Sequence, residues 1–146
     1  MYDYDIVVIG AGAAGLVASK LVQGFGKKVV LVEKRKIGGD CTLFGCVPSK
    51  TFIKAANIAY DIGRLNQFGL TAKNSIQLNA ENVMTHVREV VDSVYNGHTP
   101  EILRSSGIDV FIDAPKFIDN HNIQLSDRKI SSDKFILCTG SRAAIP

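Results

Sequence analysis

The fold is decided by residues 4–33, which read YDIVVIGAGAAGLVASKLVQGFGKKVVLVE. Residues 4–9 form a short apolar run rich in β-branched side chains, and this composition predicts a strand buried on both faces. Residues 13–23 carry Ala, Leu and Val at helical spacing, and residues 28–32 predict a second buried strand. A strand, a helix and a strand in so short a stretch form a βαβ unit, whose crossover is right-handed in nearly all proteins.

A glycine-rich turn joins the first strand to the helix. Residues 10–15 read GAGAAG, the pattern G-x-G-x-x-G, and its place between a strand and a helix is typical of a dinucleotide site. The first glycine permits the tight turn, the second lets a pyrophosphate approach the backbone, and the third lets helix and strand pack closely. The alternative is that these glycines form only a tight turn and do not bind a dinucleotide. The candidate binding residues here are Gly10, Gly12, Ala13, Ala14 and Gly15.

An acidic residue ends the second strand. Glu33 follows Gly15 by 18 residues, which is where a carboxylate accepts hydrogen bonds from an adenosine ribose. The alternative is a solvated charge at a strand end, and the glycine pattern favours the ribose role. Neither feature separates FAD from NAD.

Composition limits the classes of protein that this chain can belong to. Its 146 residues fit one domain, and 46% of them are hydrophobic, which is enough to bury a core. The net charge is +3, and the only tight basic run is residues 34–36, which is too short to indicate nucleic-acid or lipid binding. No apolar stretch reaches the ~18 residues of a membrane span. We therefore expect a cytoplasmic protein with no nucleic-acid or membrane partner.

The rest of the chain predicts further α/β structure. Asn79 is predicted to cap the N-terminus of one of the helices, and Gly97 is predicted to end it. Residues 116–131 alternate in short runs and predict a small antiparallel meander. The other predicted elements are helices over 51–64 and 80–96, a loop over 66–78, and buried strands over 109–112 and 134–138.

A closely spaced pair of cysteines is the most informative feature. Residues 38–50 read GGDCTLFGCVPSK, with Cys41 and Cys46 separated by four residues. In a regular helix such positions lie roughly 8–9 Å apart, beyond the ~7 Å that a disulfide can bridge. A disulfide therefore needs a distorted first turn, which Gly45 can provide, and Pro48 also fits a first turn. A helix N-terminus lowers a thiol pKa, and Lys50 adds positive charge nearby.

Half of a zinc site is the alternative for the pair. A structural zinc site needs four ligands. The other candidates, Cys138, His86, His98 and His121, have irregular spacing, so the sequence favours redox chemistry and no metal.

The segment around the cysteines resembles the redox-active signature of the class I pyridine nucleotide–disulfide oxidoreductases. This family includes dihydrolipoamide dehydrogenase, glutathione reductase and mercuric reductase. The resemblance is strongest to mercuric-reductase-like members, through residues 45–50 (GCVPSK) and 98–101 (HTPE), and residues 138–141 (CTGS) resemble a turn that the family places against FAD. It implies an α/β, Rossmann-like FAD-binding domain with a mainly parallel sheet and a small antiparallel β-meander.

The resemblance also implies roles for individual residues. Cys46 would lie against the flavin, take electrons from it and form the charge-transfer thiolate, while Cys41 would be the interchange thiol that attacks the substrate. Lys50 would tune the flavin. Most relatives have Thr at the position of Asp40 and Ala at that of Cys138. The further cofactor-binding residues implied are Lys34, Gly39, Asp40, Cys41, Lys50, Ala114, Thr139, Gly140 and Ser141.

As a function, the resemblance implies electron transfer from NAD(P)H through FAD to the Cys41–Cys46 disulfide. The final acceptor would be a small-molecule disulfide, a protein-bound lipoyl group or a metal ion, and the enzyme would be a homodimer. Residues 1–146 would be the N-terminal part of an FAD/NAD(P)-binding domain and a fragment of a longer polypeptide, because the family's NAD(P)H and dimerisation domains have no counterpart in this sequence. The fragment alone would be inactive. The alternatives are an inactive FAD-binding module and a flavin-free thiol redox or metal-binding module.

Overall fold

The computed structural model describes residues 1–71, 77–141 and 144–145 of the chain. Within these residues the strands are β1 (Tyr4–Ile9), β2 (Val29–Glu33), β3 (Ile108–Ile112), β4 (Lys116–Asp119), β5 (Asn122–Gln124) and β6 (Lys129–Leu137). The helices are α1 (Ala13–Gly24), α2 (Gly39–Leu43), α3 (Cys46–Ile62), α4 (Ala80–Asn96) and α5 (Pro100–Ser105), with a 3₁₀ helix at Leu65–Phe68.

All the strands that the structure describes lie in one sheet, in the order β3-β2-β1-β6-β5-β4. β1 pairs in parallel with β2 and with β6, and β2 pairs in parallel with β3. β5 is antiparallel to both β4 and β6. The predicted α/β fold, a mainly parallel sheet with an antiparallel meander, is therefore confirmed.

The core forms on both faces of the parallel strands because their side chains alternate between the two faces. On one face, Val8 and Leu31 pack with Leu16 of α1 and Leu103 of α5. On the other face, the meander supplies the cover. The buried residues of this second cluster are Val7, Ile9, Val30, Val32, Ile123, Leu125 and Ile130. Helices and meander residues therefore pack against opposite faces of the parallel strands.

β6 is longer than the sequence predicted. The meander over 116–131 and the strand over 134–138 were expected to be separate, but residues 129–137 form one continuous strand. The polar residue Ser132 stays buried in its middle because its hydroxyl donates to the carbonyl oxygen of Lys134 at 2.8 Å. A satisfied hydroxyl costs little to bury, so the strand continues through a polar stretch that looked like a break.

The helices agree with the prediction in part. Asn79 caps α4 by accepting from the Asn82 amide at 3.0 Å, and Gly97 follows its last residue, as predicted. α3 begins five residues earlier than expected, and α5 was not anticipated. The predicted loop over 66–78 begins inside the 3₁₀ helix, and its residues 72–76 lie outside the described residues. None of the helices in the described part of the chain is long and apolar enough to cross a membrane.

Candidate cofactor and dithiol site

The turn after β1 is held in place by packing at its first and last glycines. Gly10 has φ +100°, and its amide donates to the Val32 carbonyl at 2.8 Å. A Cβ atom on Gly10 would lie 2.3 Å from the Cys138 carbonyl oxygen, and one on Gly15 would lie 1.8 Å from the Gly10 carbonyl oxygen. Both distances are impossible contacts, so the fold itself requires glycine at these two positions.

Gly12 differs from its two neighbours in the motif. Its φ is −76°, which any residue can adopt, and a Cβ here would meet nothing closer than the Gly39 Cα at 3.8 Å. The protein's own packing therefore does not explain a glycine at this position. The space that a Cβ on Gly12 would occupy is open, and it fits a pyrophosphate that approaches the backbone closely.

The start of α1 offers hydrogen-bond donors to a ligand. Its first turn contains no acidic residue, and Gly12 provides no side-chain cap. Ala13 and Ala14 are exposed, and among the described residues their amides have no hydrogen-bond acceptor. Free amides together with the positive end of the helix dipole make a binding site for phosphate. The residues present therefore fit the pyrophosphate of a dinucleotide.

Glu33 is fixed beside this turn at the end of β2. One carboxylate oxygen accepts from the Ala11 amide at 2.8 Å, and the other accepts from the Arg35 amide at 2.9 Å. Each oxygen keeps a lone pair for a further donor. The side chain is half-buried, and the adjacent Lys34 is exposed. The geometry thus permits the ribose role expected of Glu33.

A second pair of glycines ties the cysteine segment to the turn. The Gly38 amide donates to the Ala11 carbonyl at 2.8 Å, and the residue has φ +114°. Gly39 has φ +59°, and a Cβ on it would lie 2.7 Å from the Gly12 Cα. Gly39 was a candidate from the sequence and Gly38 was missed, although the Gly-Gly doublet was a signal for both. Their close approach places the start of α2 against the phosphate-binding turn.

The other candidate residues gather at the carboxyl ends of the parallel strands. Asp113 and Ala114 follow β3, and the Asp113 amide donates to the Glu33 carbonyl at 2.8 Å. Thr139, Gly140 and Ser141 follow β6, where the Cys138 amide donates to the Ile9 carbonyl at 2.7 Å. Because β2 and β6 lie on opposite sides of β1, the connections diverge at this edge, which is where ligands bind in open α/β sheets.

A break between two helices brings the cysteines together. Cys41 lies in α2, and Cys46 is the first residue of α3. The Asp40 carbonyl accepts from both the Phe44 amide at 2.9 Å and the Gly45 amide at 2.7 Å, so the chain folds back instead of continuing as a helix. A Cβ on Gly45 would lie 3.6 Å from the Cys41 Cα and 3.0 Å from the Asp40 oxygen. The distortion predicted at Gly45 is therefore present, and Pro48 lies in the first turn of α3.

The two thiols are free, with Cys41 half-buried and Cys46 exposed. The pKa of Cys41 is raised, chiefly because its thiol hydrogen-bonds with the neighbouring sulfur of Cys46 and secondarily by desolvation. The Cys46 amide and the charge of Lys50 act in the opposite direction but do not prevail. The sequence-based expectation of a lowered thiol pKa is thus wrong for Cys41. The effect of the Cys46 sulfur on this pKa outweighs the effect of the Lys50 charge.

A zinc ion at the cysteine pair would need further ligands nearby. Among the residues that the structure describes, no group of three or more His, Cys, Asp or Glu side chains could hold a metal ion. Cys138 lies under the glycine-rich turn, where its Cβ is 3.4 Å from the place that a Cβ on Gly15 would take. This position fits a small apolar side chain.

Comparisons with known proteins agree with this geometry. A family model described as pyridine nucleotide-disulphide oxidoreductase matches residues 4–146. The chain is 30% identical over 145 residues to a glutathione reductase from Nostoc sp., covering 99% of the chain and 31% of that protein. It is 28% identical over 144 residues to a dihydrolipoyl dehydrogenase from Acholeplasma laidlawii, covering 99% of the chain and 43% of the relative.

A mercuric reductase from Lysinibacillus sphaericus is 26% identical over 144 residues, covering 99% of the chain and 26% of that protein. The chain therefore spans between about a quarter and two fifths of the length of these curated relatives.

Proposed function

The chain belongs to the pyridine nucleotide-disulphide oxidoreductase family, and on that premise we propose that it is the FAD-binding part of a flavin-dependent disulfide reductase. The observation that carries this proposal is the direct link between two sites. Gly38 and Gly39 attach the Cys41–Cys46 segment to the phosphate-binding turn through the Ala11 carbonyl and the Gly12 backbone. A nucleotide bound at the turn would extend toward a dithiol that the same backbone contacts hold in place.

Different residues at the carboxyl edge of the sheet would bind different parts of the cofactor. The amides at the start of α1 would bind the pyrophosphate beside Gly12 and Gly39. Glu33 would accept hydrogen bonds from the adenosine ribose, with Lys34 and Ala114 flanking that end of the site. Residues 139–141 would contact the cofactor from the end of β6.

The dithiol supplies the redox chemistry of the protein. Bound FAD would accept a hydride from NAD(P)H and pass two electrons to a disulfide. Reduction of the Cys41–Cys46 disulfide to one thiol and one thiolate consumes two electrons and one proton. Reoxidation passes both electrons to the acceptor, and a disulfide acceptor that ends as two thiols takes its second proton from solvent. The raised pKa of Cys41 favours its thiol form in the reduced pair. Cys46 would be the charge-transfer thiolate that lies against the flavin, Lys50 would tune the flavin, and Cys41 would attack the substrate once it is deprotonated.

The acceptor we propose is a small-molecule disulfide, a protein-bound lipoyl group or a metal ion. The names of the relatives indicate glutathione, dihydrolipoyl and mercuric substrates for those proteins. We further propose that residues 1–146 are the N-terminal part of an FAD/NAD(P)-binding domain, that the active enzyme is a homodimer, and that the longer polypeptide supplies the nicotinamide site.

The decisive experiment combines FAD titration with thiol counting. FAD fluorescence should be quenched as purified chain is added, and the dithiol should oxidise reversibly. In a denatured, oxidised sample only Cys138 should be alkylated, whereas reduction should make all three cysteines reactive. Absence of FAD binding would contradict the proposed flavin site. Three reactive thiols after careful oxidation would contradict the proposed redox-active disulfide.

A second measurement separates a complete enzyme from a binding module. We expect these 146 residues by themselves to bind FAD without turnover, because hydride transfer requires a nicotinamide held against the flavin and proton transfer requires a positioned base. The assay contains the chain, FAD, NADH or NADPH, and a disulfide dye or mercuric ion. Turnover within tenfold of ~10 s⁻¹, a median enzyme rate, would contradict this expectation.

A further inference from the structure

Asp40 is a charged residue that the proposed redox cycle does not use. It lies in the first turn of α2, and its side chain is exposed. Among the described residues its carboxylate has no hydrogen-bond donor and no ion-pair partner, whereas its backbone carbonyl holds the break before α3. The negative charge is therefore not neutralised by the protein around it.

The backbone of Asp40 is close to the place where the pyrophosphate would bind. A Cβ on Gly39 would lie 2.7 Å from the Gly12 Cα, so the two backbones touch. Since consecutive Cα atoms are ~3.8 Å apart, the Asp40 Cα lies no more than about 8 Å from the Gly12 Cα. Like charges at such a separation repel measurably unless salt screens them.

We propose that Asp40 is a specificity-determining residue that disfavours adenine nucleotides carrying more negative charge than FAD. This inference rests on the proposed FAD site. The adenosine and diphosphate groups of FAD are also present in ADP, so the turn and Glu33 alone do not distinguish the two ligands. Each phosphate of FAD is a diester with a single charge, whereas the terminal phosphate of ADP carries an additional one. A negative charge on a residue next to the diphosphate site therefore repels ADP more than FAD.

The test measures the affinity of the full chain for FAD and for ADP at low ionic strength. At ~8 Å in water, repulsion between the carboxylate and one phosphate charge lowers the affinity roughly twofold to threefold. Asp40→Asn should thus tighten FAD about fivefold and ADP about tenfold or more, so that the preference for FAD falls. Both gains should shrink as salt is raised, because the Debye length falls from about 30 Å at 0.01 M to 10 Å at 0.1 M.

The matched control is Asp133→Asn, which changes the net charge by the same amount. Asp133 lies near the opposite end of the parallel strands, where β6 pairs with the start of β1 and where Asp133 itself meets Lys134. It should change neither affinity. Asp40→Glu keeps the charge and should retain the wild-type preference, and Asp40→Thr provides a second neutral variant if the Asn variant folds poorly.

The outcomes distinguish this inference from the proposed function. If the wild-type chain does not bind FAD, the proposed function fails and this inference fails with it. If the wild type binds FAD but neither neutral variant lowers the preference for FAD over ADP, the inference alone is overturned. Weaker FAD binding by both neutral variants would also overturn it, because the carboxylate would then be helping to hold the cofactor.

Discussion

The phosphate-binding turn and the dithiol segment touch each other, yet they are held in different ways. The turn is part of the core: Gly10 and Gly15 are locked against backbone atoms, and α1 buries Leu16, Ser19 and Val22. By contrast, neither α2 nor α3 buries a single residue. The dithiol is positioned by a few backbone hydrogen bonds, including the two that converge on the Asp40 carbonyl.

Because of this difference, substitutions in the two parts of the site should have different effects, on stability in one part and on thiol chemistry in the other. Substitutions in the turn should act on the free energy of unfolding, because they disturb close packing. Substitutions in the dithiol segment should leave the fold intact and change the behaviour of the thiols. The residue on the boundary is Gly12, whose backbone touches Gly39 but whose own Cβ position has no close contact.

The largest effect is expected for Gly15→Ala. A Cβ there would lie 1.8 Å from the Gly10 carbonyl oxygen, so the turn and the helix must move apart. We expect a loss of about 3 kcal/mol in the free energy of unfolding, measured by urea denaturation. Gly24→Ala is the control in the same helix, because a Cβ on Gly24 would meet nothing within 4 Å. Equal stability of the two variants would show that the turn is not held by packing.

Gly12→Ala should leave the fold nearly unchanged and weaken FAD binding. The new methyl group is tolerated by the protein but occupies the place where the pyrophosphate would approach. We expect an unfolding free energy within ~1 kcal/mol of the wild type and at least a tenfold rise in the Kd for FAD, which is about 1.4 kcal/mol. Wild-type FAD affinity in this variant would place the pyrophosphate elsewhere, and Gly24→Ala should bind FAD normally.

Cys46→Ala should lower the pKa of Cys41. The hydrogen bond with Cys46 is the main cause of the raised pKa, so its loss should produce more Cys41 thiolate at a given pH. The pH profile of alkylation at Cys41, followed by peptide mass spectrometry, should therefore move to lower pH. Cys138→Ala serves as the control and should not move the profile. A profile that stays in place in Cys46→Ala would show that the two sulfurs do not interact.

The smallest effect is expected for Lys50→Gln. The Lys50 ammonium favours the Cys41 thiolate, but it is a minor influence beside the Cys46 sulfur. Its removal should move the same alkylation profile slightly to higher pH, opposite to the shift in Cys46→Ala. Lys54→Gln, one turn further along α3, removes an equal charge and should have no effect. A shift to lower pH in Lys50→Gln would mean that the lysine does not act through its charge.

Features that depend on local periodicity could be predicted from the sequence. β1, β2 and their parallel pairing follow from two apolar runs on either side of a helix, and the Asn79 cap follows from a side chain that bonds three residues ahead. The distortion at Gly45 also follows, because two cysteines five positions apart cannot meet on a regular helix.

Features that depend on distant contacts could not be predicted. Gly38 matters because Ala11, remote in sequence, accepts its amide, and β6 continues because Ser132 finds a partner in the folded chain. The raised pKa of Cys41 depends on where a second sulfur comes to lie. The propensity of a single residue contains no information about any of these contacts.

The pairing of β1 with β6 has a consequence for how the chain is made. Partner residues such as Ile9 and Leu137 are separated by the same 128 residues as the hydrogen-bonded Asp3 and Ser131. A ribosome therefore releases β1 long before the strand that covers its second edge. Throughout that interval the nascent chain exposes an apolar strand open to pairing with other chains. The sheet can close only after residue 137 has emerged, so chaperones have the longest access to the segment that is synthesised first.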